Sequence, residues 1–99
     1  MEYVEADSLE RARELIDKLD DKIVELIALR NQYIKQIAHF KNSIEEVKSE
    51  ERVADIIARV RTKAIELDLS PNLINSLYTI MIDSMIESEI AEFNNARSF

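Results

Sequence analysis

Apolar side chains recur at alternating spacings of three and four residues through the first forty positions of the chain. This alternation places side chains along one side of a long helix, the side that packs against other helices. It predicts a first helix over about residues 8–42, with Asp7 or Ser8 as the N-cap and capping-box spacing between Asp7 and Glu10. The positions of this apolar stripe are Leu9, Ala12, Ile16, Leu19, Ile23, Leu26, Arg30, Tyr33, Ile37 and Phe40.

One member of the apolar stripe is charged. Arg30 occupies the seventh position, and every other member is apolar or aromatic. An isolated charge is costly to remove from water, so a buried arginine needs an anionic partner. That partner is either a carboxylate of this protein or an anionic ligand.

A second helix is predicted after a short connection. Asn42 and Ser43 end the first helix, and residues 44–48 form the connection. Ser49 is the predicted N-cap of the second helix, because two glutamates follow it in the first turn, where the helix dipole favours negative charge. The apolar face of this helix ends near Asp68.

A third helix is predicted to begin at the only proline of the chain. Ser70 as N-cap and Pro71 at the first helical position open it, and it continues to about Asn94, with residues 95–99 frayed. The sequence contains no glycine, and 46% of its residues are hydrophobic. This composition predicts an all-α fold of three helices, because sheets normally need more turn residues.

The length of the first helix predicts a second copy of the chain. A chain of 99 residues forms a single domain. A helix of about 50 Å is too long to bury its stripe within such a monomer. We therefore expect a homodimer, in which the stripe packs against a second copy of the helix.

Charge and composition exclude several classes of partner. The formal net charge of −7 argues against nucleic acid, because binding to the phosphate backbone needs a basic face. No apolar run approaches the ~20 residues of a membrane span, and the acidic N-terminus does not resemble a signal peptide. Cysteine is absent, which is compatible with a reducing cytoplasm. A small anion still binds where a few cations are gathered in one pocket.

Spacing along the first helix relates three cations to one another. Lys41 follows Arg30 by eleven residues, which brings both side chains to the same side of a helix. Arg13 lies about 260° around the helix from Arg30, so it cannot serve the same pocket within one protomer, and it serves the equivalent pocket of a second copy only if two copies of the helix pack together. The alternative for Arg13 is a solvated arginine paired with Asp17.

Glu89 is the acidic counterpart of these cations. It shares a helix face with Tyr78 and Ile82, so it lies on the apolar side of the third helix. It contacts a ligand, forms a buried salt bridge with Arg30 or Lys41, or is a half-exposed carboxylate near the helix end.

Other polar residues carry weaker signals. Arg52, in the first turn of the second helix, is either a surface arginine or part of the pocket. His39 has no second metal-ligating residue at a suitable spacing and is predicted to be a surface residue. Met81 and Met85 fill the core. No catalytic triad and no glycine-rich phosphate loop is present in the sequence.

These residues together resemble a known family. The motif R-x-x-I-D-x-x-D runs from Arg13 to Asp20. Arg30 follows ten residues after Asp20, and Lys41 follows eleven residues after Arg30. With the segment SEERVADII and a third helix that begins at proline, the chain resembles the all-helical chorismate mutases over residues 9–93. Within that class it is most similar to the branch of the isochorismate pyruvate lyases.

The resemblance implies an intertwined homodimer with two equivalent sites and no cofactor or metal. Arg13 would reach one carboxylate of the substrate from the second chain, and Arg30 would hold the other carboxylate. Lys41 would donate to the ether oxygen whose bond breaks, and Arg52 would lie near a bound carboxylate. The catalytic set is then Arg30, Lys41 and Glu89, and the substrate-binding set is Arg13, Arg52, Val53 and Met85.

Two positions depart from the family pattern. Position 89 is usually glutamine, which donates to the ether oxygen, whereas Glu89 donates only when it is protonated. Many mutases have glutamate at position 53. This chain has Val53 instead, and the lyase branch also has valine there.

The function predicted first is the pericyclic rearrangement of chorismate to prephenate, in aromatic amino acid biosynthesis. Isochorismate pyruvate lyase activity in salicylate biosynthesis is the second. Rearrangement of an amino analogue of chorismate and a non-catalytic helical dimerisation or regulatory module are the others.

Overall fold

The computed structural model describes residues 2–97, which contain helices and no strand. The helices are α1 (Leu9–Ala38), α2 (Ile44–Val47), α3 (Glu50–Glu66) and α4 (Pro71–Arg97). The predicted all-α class, the three long helices and the long first helix are therefore confirmed. The four-residue helix α2 is an addition to the predicted set.

Helix α1 begins at the predicted cap. The Ser8 hydroxyl oxygen accepts a hydrogen bond from the amide of Arg11 at 3.0 Å, which satisfies one of the amides left unpaired at a helix start. The N-cap is thus Ser8, the second of the two residues predicted for that role. With 30 residues, α1 is about 45 Å long.

The prediction that the first helix extends to residue 42 was wrong. Helix α1 ends at Ala38, and each of the next three amides donates to the carbonyl three residues back. Ser43 has an extended backbone, because its side chain caps the next helix, and an extended residue cannot continue α1. Phe40 and Lys41 consequently lie beyond the helix. The helical angle predicted between Lys41 and Arg30 does not apply.

Helix α2 occupies the segment predicted as a connection. The Ser43 hydroxyl accepts from the amide of Glu46, and the Glu46 carboxylate accepts from the amide of Asn42 at 2.8 Å. A serine followed three residues later by glutamate is the capping-box pattern, so the sequence contained the signal for this turn of helix. The predicted connection over residues 44–48 is corrected accordingly.

Helix α3 begins after Ser49, whose hydroxyl accepts from the amide of Arg52 as predicted. It ends in a Schellman motif, in which the amides of Asp68 and Leu69 donate to the carbonyls of Ile65 and Ala64. Such a motif needs a residue in the left-handed region, and Asp68 provides it with φ of 57°. Glycine is the usual residue at that position because it has no Cβ.

Asp68→Gly should raise the free energy of unfolding by about 0.5–1 kcal/mol, because it relieves the left-handed backbone at this position. Asp68→Ala should lower the free energy of unfolding. The matched control is Ala58→Gly on the exposed side of α3, which should lower it by about 1 kcal/mol. Urea unfolding of the three variants tests the order, and equal losses for glycine at positions 58 and 68 would contradict it.

Helix α4 opens as predicted and ends later than predicted. The Ser70 hydroxyl accepts from the amide of Leu73 at 3.2 Å, and Pro71 is the first helical residue. The helix continues to Arg97, so the predicted fraying was wrong for residues 95–97, and residues 98–99 lie outside the described range.

The chain divides into two compact units, with the boundary in sequence between Gln32 and Tyr33. The single-domain organisation over residues 1–99 stays a prediction. In the second unit α4 carries the buried residues of two apolar clusters. Ile82 packs with Ile56 and Val60 of α3, and Phe93 packs with Ala38 and Val47. Burial of each large aliphatic or aromatic side chain stabilises the unit by about 1.5–3 kcal/mol, so these clusters hold α4 in place.

Candidate active site

Glu89 is a charged residue on the buried face of α4. It lies one helical turn after Met85, and both side chains are buried, with Glu89 only 5% exposed. The predicted placement on the apolar side of the third helix is confirmed. The alternative of a half-exposed carboxylate near the helix end is excluded by this burial.

The Glu89 carboxyl is incompletely hydrogen bonded. Its Oε2 atom has no hydrogen-bond partner among residues 2–97. Burial raises the pKa of Glu89 above its ordinary value, and the nearby Lys41 ammonium acts in the opposite direction. Since burial is the larger effect, the neutral acid persists to higher pH than for an exposed glutamate.

Lys41 lies in the turn between α1 and α2 and is half-buried. Its ammonium donates to the main-chain carbonyl of Glu46 at 3.0 Å. Its charge lowers the pKa of Glu89, against the larger effect of burial. The helix face predicted to be shared by Lys41 and Arg30 does not form, because Lys41 lies in the turn after α1.

Arg52 and Val53 lie in the first turn of α3. Arg52 is exposed, and Val53 is half-buried against the cluster of Ile56, Val60 and Ile82. Position 53 therefore offers an apolar wall, and the adjacent position 52 offers an exposed guanidinium group.

Arg13 and Arg30 both lie on α1, in the first unit. Arg30 is half-buried, as its place in the apolar stripe predicts, whereas Arg13 is exposed. The nearby ion pair of α1 joins Arg11 and Glu14 at 3.1 Å. Within residues 2–97 no ion pair joins Arg13 to Asp17, the pairing that the sequence suggested as an alternative.

Comparison with known proteins identifies the family of this chain. The family model described as chorismate mutase type II matches residues 12–90, a range that contains all seven candidate residues. The chain belongs to this family. A curated relative, a chorismate mutase from Methanocaldococcus jannaschii, is 32% identical over 78 residues, which cover 78% of this chain and 79% of the relative.

Membership of the chorismate mutase type II family confirms the resemblance inferred from the sequence motif, and with it the predicted class of enzyme, an isomerase. The finer likeness to the isochorismate pyruvate lyase branch stays a prediction. Over the described part of the chain, no helix is long and apolar enough to cross a membrane.

His39 is an exposed residue, as predicted, and it has a partner that the sequence did not indicate. Its Nε2 atom lies 3.0 Å from Oε1 of Glu92, which links the turn after α1 to α4. Among residues 2–97 no three His, Cys, Asp or Glu side chains are grouped so as to hold a metal ion.

One residue near Lys41 was missed by the sequence reasoning. The Arg97 guanidinium donates to the main-chain carbonyl of Lys41, although the sequence placed Arg97 in a frayed end. No sequence signal indicated this contact, because the two residues are far apart in the chain and Arg97 lies beyond the range that the family model matches.

Proposed function

We propose that this chain converts chorismate to prephenate in a cationic, water-poor pocket, with Arg30, Lys41 and Glu89 acting on the substrate. The observation that carries the proposal is the buried Glu89 carboxyl, which has an unpartnered oxygen and lies within the electrostatic influence of Lys41. Buried polar groups in native proteins are hydrogen bonded, with few exceptions, and a group reserved for a ligand is one such exception.

The reaction needs little chemistry from the protein. The ether C–O bond of chorismate breaks as a new C–C bond forms within the same molecule, and no proton or leaving group is released. The protein must hold a dicarboxylate in a compact conformer and direct hydrogen-bond donors at the ether oxygen, where negative charge develops. A few cations and one neutral acid in an apolar pocket are sufficient for both tasks.

Lys41 and Glu89 are the proposed donors to the ether oxygen. The Lys41 ammonium carries a full charge, and a charge-assisted hydrogen bond is about twice as strong as a neutral one. Glu89 donates only in its protonated form, which burial favours. An ionised Glu89 would accept instead of donating and would repel the dianionic substrate.

The arginines are the proposed carboxylate ligands. A guanidinium group presents two parallel N–H donors that match the two oxygens of a carboxylate. We assign one carboxylate to Arg30 and the other to Arg13 of a second copy, with Arg52 near a bound carboxylate at the start of α3. Val53 and Met85 are the proposed apolar walls.

A homodimer is part of this proposal. The apolar stripe of α1 is largely exposed in the single chain, with Leu26 63% and Tyr33 59% exposed. A groove of 330 Å³ in the first unit is also lined by stripe residues, but by none of the candidate site residues. A contiguous apolar face of this length marks an interaction surface, and the α1 helix of a second copy offers a matching face.

We expect the protein to sediment as a dimer at micromolar concentration, because the apolar stripe of α1 needs a cover. Leu26→Glu places a charge in the stripe and should produce monomer or unfolded chain. Ala28→Glu places the same charge on another side of α1 and should leave the dimer intact. A stable folded monomer of the unmodified protein would contradict both the dimer and the shared site.

The proposed activity is tested by incubating the pure protein separately with chorismate and with isochorismate. We expect prephenate from chorismate. Formation of salicylate and pyruvate from isochorismate alone would favour the lyase reaction, which the apolar Val53 suggests as the second candidate. No turnover together with no binding of a dicarboxylate analogue would indicate a non-catalytic helical module. The cytoplasmic location stays a prediction, to be tested by cell fractionation.

A further inference from the structure

We infer that Arg97, at the end of α4, is a positioning residue for Lys41; this inference rests on the proposed role of Lys41 at the ether oxygen. The Arg97 guanidinium donates to the main-chain carbonyl of Lys41, across 56 positions of sequence. Lys41 lies outside every helix of the described range: its amide donates to the Ala38 carbonyl at 3.4 Å, but no helical hydrogen bond fixes its own carbonyl. A hydrogen bond from α4 supplies that constraint.

Arg97 is itself anchored to the core. Its guanidinium carbon lies 4.0 Å from the centroid of the Phe93 ring, one helical turn earlier on α4. Phe93 is buried against Ala38, the last residue of α1, and Val47 of α2. Arg97 therefore connects the main chain of Lys41 to the cluster in which Ala38 and Val47 pack against Phe93 of α4.

The Lys41 segment is also held by two contacts from α2. The Lys41 ammonium donates to the Glu46 carbonyl, and the amide of Asn42 donates to the Glu46 carboxylate. These contacts constrain the side chain of Lys41 and the residue after it. Arg97 constrains the carbonyl of Lys41 itself. Its loss leaves the turn attached to α2, and attached to α4 through the exposed His39–Glu92 pair, but removes the contact from α4 to the Lys41 main chain.

Arg97 lies outside the part of the chain that the family model matches, so its proposed role does not come from the family motif. The family model matches residues 12–90, whereas Arg97 lies seven residues beyond that range. The candidate catalytic residues are thus within the matched range, whereas the residue that positions Lys41 lies outside it.

The test is steady-state kinetics of Arg97→Met with chorismate. Methionine keeps apolar packing over Phe93 and removes the hydrogen-bond donor. We expect kcat to fall about tenfold while KM stays within about twofold, because a displaced donor to the ether oxygen acts on the transition state more than on binding. Arg97→Lys, which restores a charged donor, should recover part of kcat.

Arg61 provides a matched control. Its guanidinium also donates to a main-chain carbonyl, that of Pro71 at 3.2 Å, at the start of α4. Arg61→Met therefore removes the same kind of contact and should leave kcat unchanged, even where it lowers the free energy of unfolding. An equal loss of kcat in both variants would overturn the positioning role, because it would indicate a general effect on stability.

A double-mutant cycle separates the inference from the proposed function. In a Lys41→Met background, Arg97→Met should have no further effect on kcat, and a further tenfold loss would show that Arg97 acts independently of Lys41. Full activity of Lys41→Met would instead refute the proposed role of Lys41. Amide hydrogen exchange of residues 39–43 tests the constraint without substrate: it should accelerate in Arg97→Met and not in Arg61→Met, and unchanged exchange would overturn the inference.

Discussion

Glu89→Gln should remove the decline of kcat/KM with rising pH and increase activity at neutral and alkaline pH. Glutamine donates a hydrogen bond at every pH, whereas Glu89 donates only when it is protonated. Burial raises the pKa of Glu89, so the active form persists above the ordinary range of a glutamate and is lost as the pH rises through this raised pKa. Above the pKa the protonated fraction falls about tenfold per pH unit, which sets the expected gain of the variant.

The free energy of unfolding should also fall as the pH rises through the pKa of Glu89. The pKa of Glu89 is higher in the folded chain than in the unfolded chain, so the folded state binds the proton more tightly. The stability contributed by the protonated acid is complete below the unfolded pKa and is lost as the pH rises through the folded pKa. Glu89→Gln should therefore be more stable than the unmodified protein at neutral pH, and this difference should shrink on acidification.

Glu87→Gln is the control for charge. It removes the same charge from an exposed position two residues away on α4 and should keep the pH profile of the unmodified protein. The measurement is a pH series of kcat/KM, paired with urea unfolding at the same pH values. Profiles of Glu89→Gln and the unmodified protein that differ only by a constant factor would place Glu89 outside the site.

Arg30→Ala should lower kcat/KM by more than about 100-fold, equivalent to a loss of about 3 kcal/mol of transition-state stabilisation. The reason is the removal of a charged, two-pronged carboxylate ligand from a half-buried position of α1. Lys22→Ala is the control, because it also removes one positive charge from α1, at an exposed position paired with Glu25 at 3.1 Å. Its kcat/KM should change less than about twofold.

Two further measurements on Arg30 distinguish a ligand from a structural partner. Circular dichroism should show that Arg30→Ala keeps its helical content. Arg30→Lys, which keeps the charge and loses the fork of donors, should recover only part of the activity. Loss of helical content with unchanged kcat/KM per folded molecule would identify Arg30 as a partner in a structural salt bridge, which was the alternative left open by the sequence.

Much of the fold followed from local patterns. The spacing of three and four residues indicated α1, and serine caps indicated where α1, α3 and α4 begin. These signals are reliable because a cap and an apolar stripe depend on residues within one or two helical turns. The same reasoning placed Arg30 in the stripe and Glu89 on the apolar side of the third helix.

The end of α1 was harder to predict, because two helices compete for the same residues. The apolar spacing continues to Phe40, but Ser43 takes an extended conformation to cap α2 and stops the first helix at Ala38. The spacing of apolar residues by itself does not predict that a later serine ends the helix by capping the next one. Lys41 was thus predicted to share a helix face with Arg30, whereas the structure places it in the turn after α1, where its charge acts on Glu89.

The sequence by itself determined the helical class, the family, and the residue types available to a dicarboxylate pocket, because these depend on short-range patterns and on a motif within one segment. Only the tertiary structure decided the protonation tendency of Glu89, which depends on the balance between burial and the charge of Lys41. It alone also revealed the contact from Arg97 to Lys41, since packing of Phe93 against Ala38 and Val47 brings together residues that are distant in sequence.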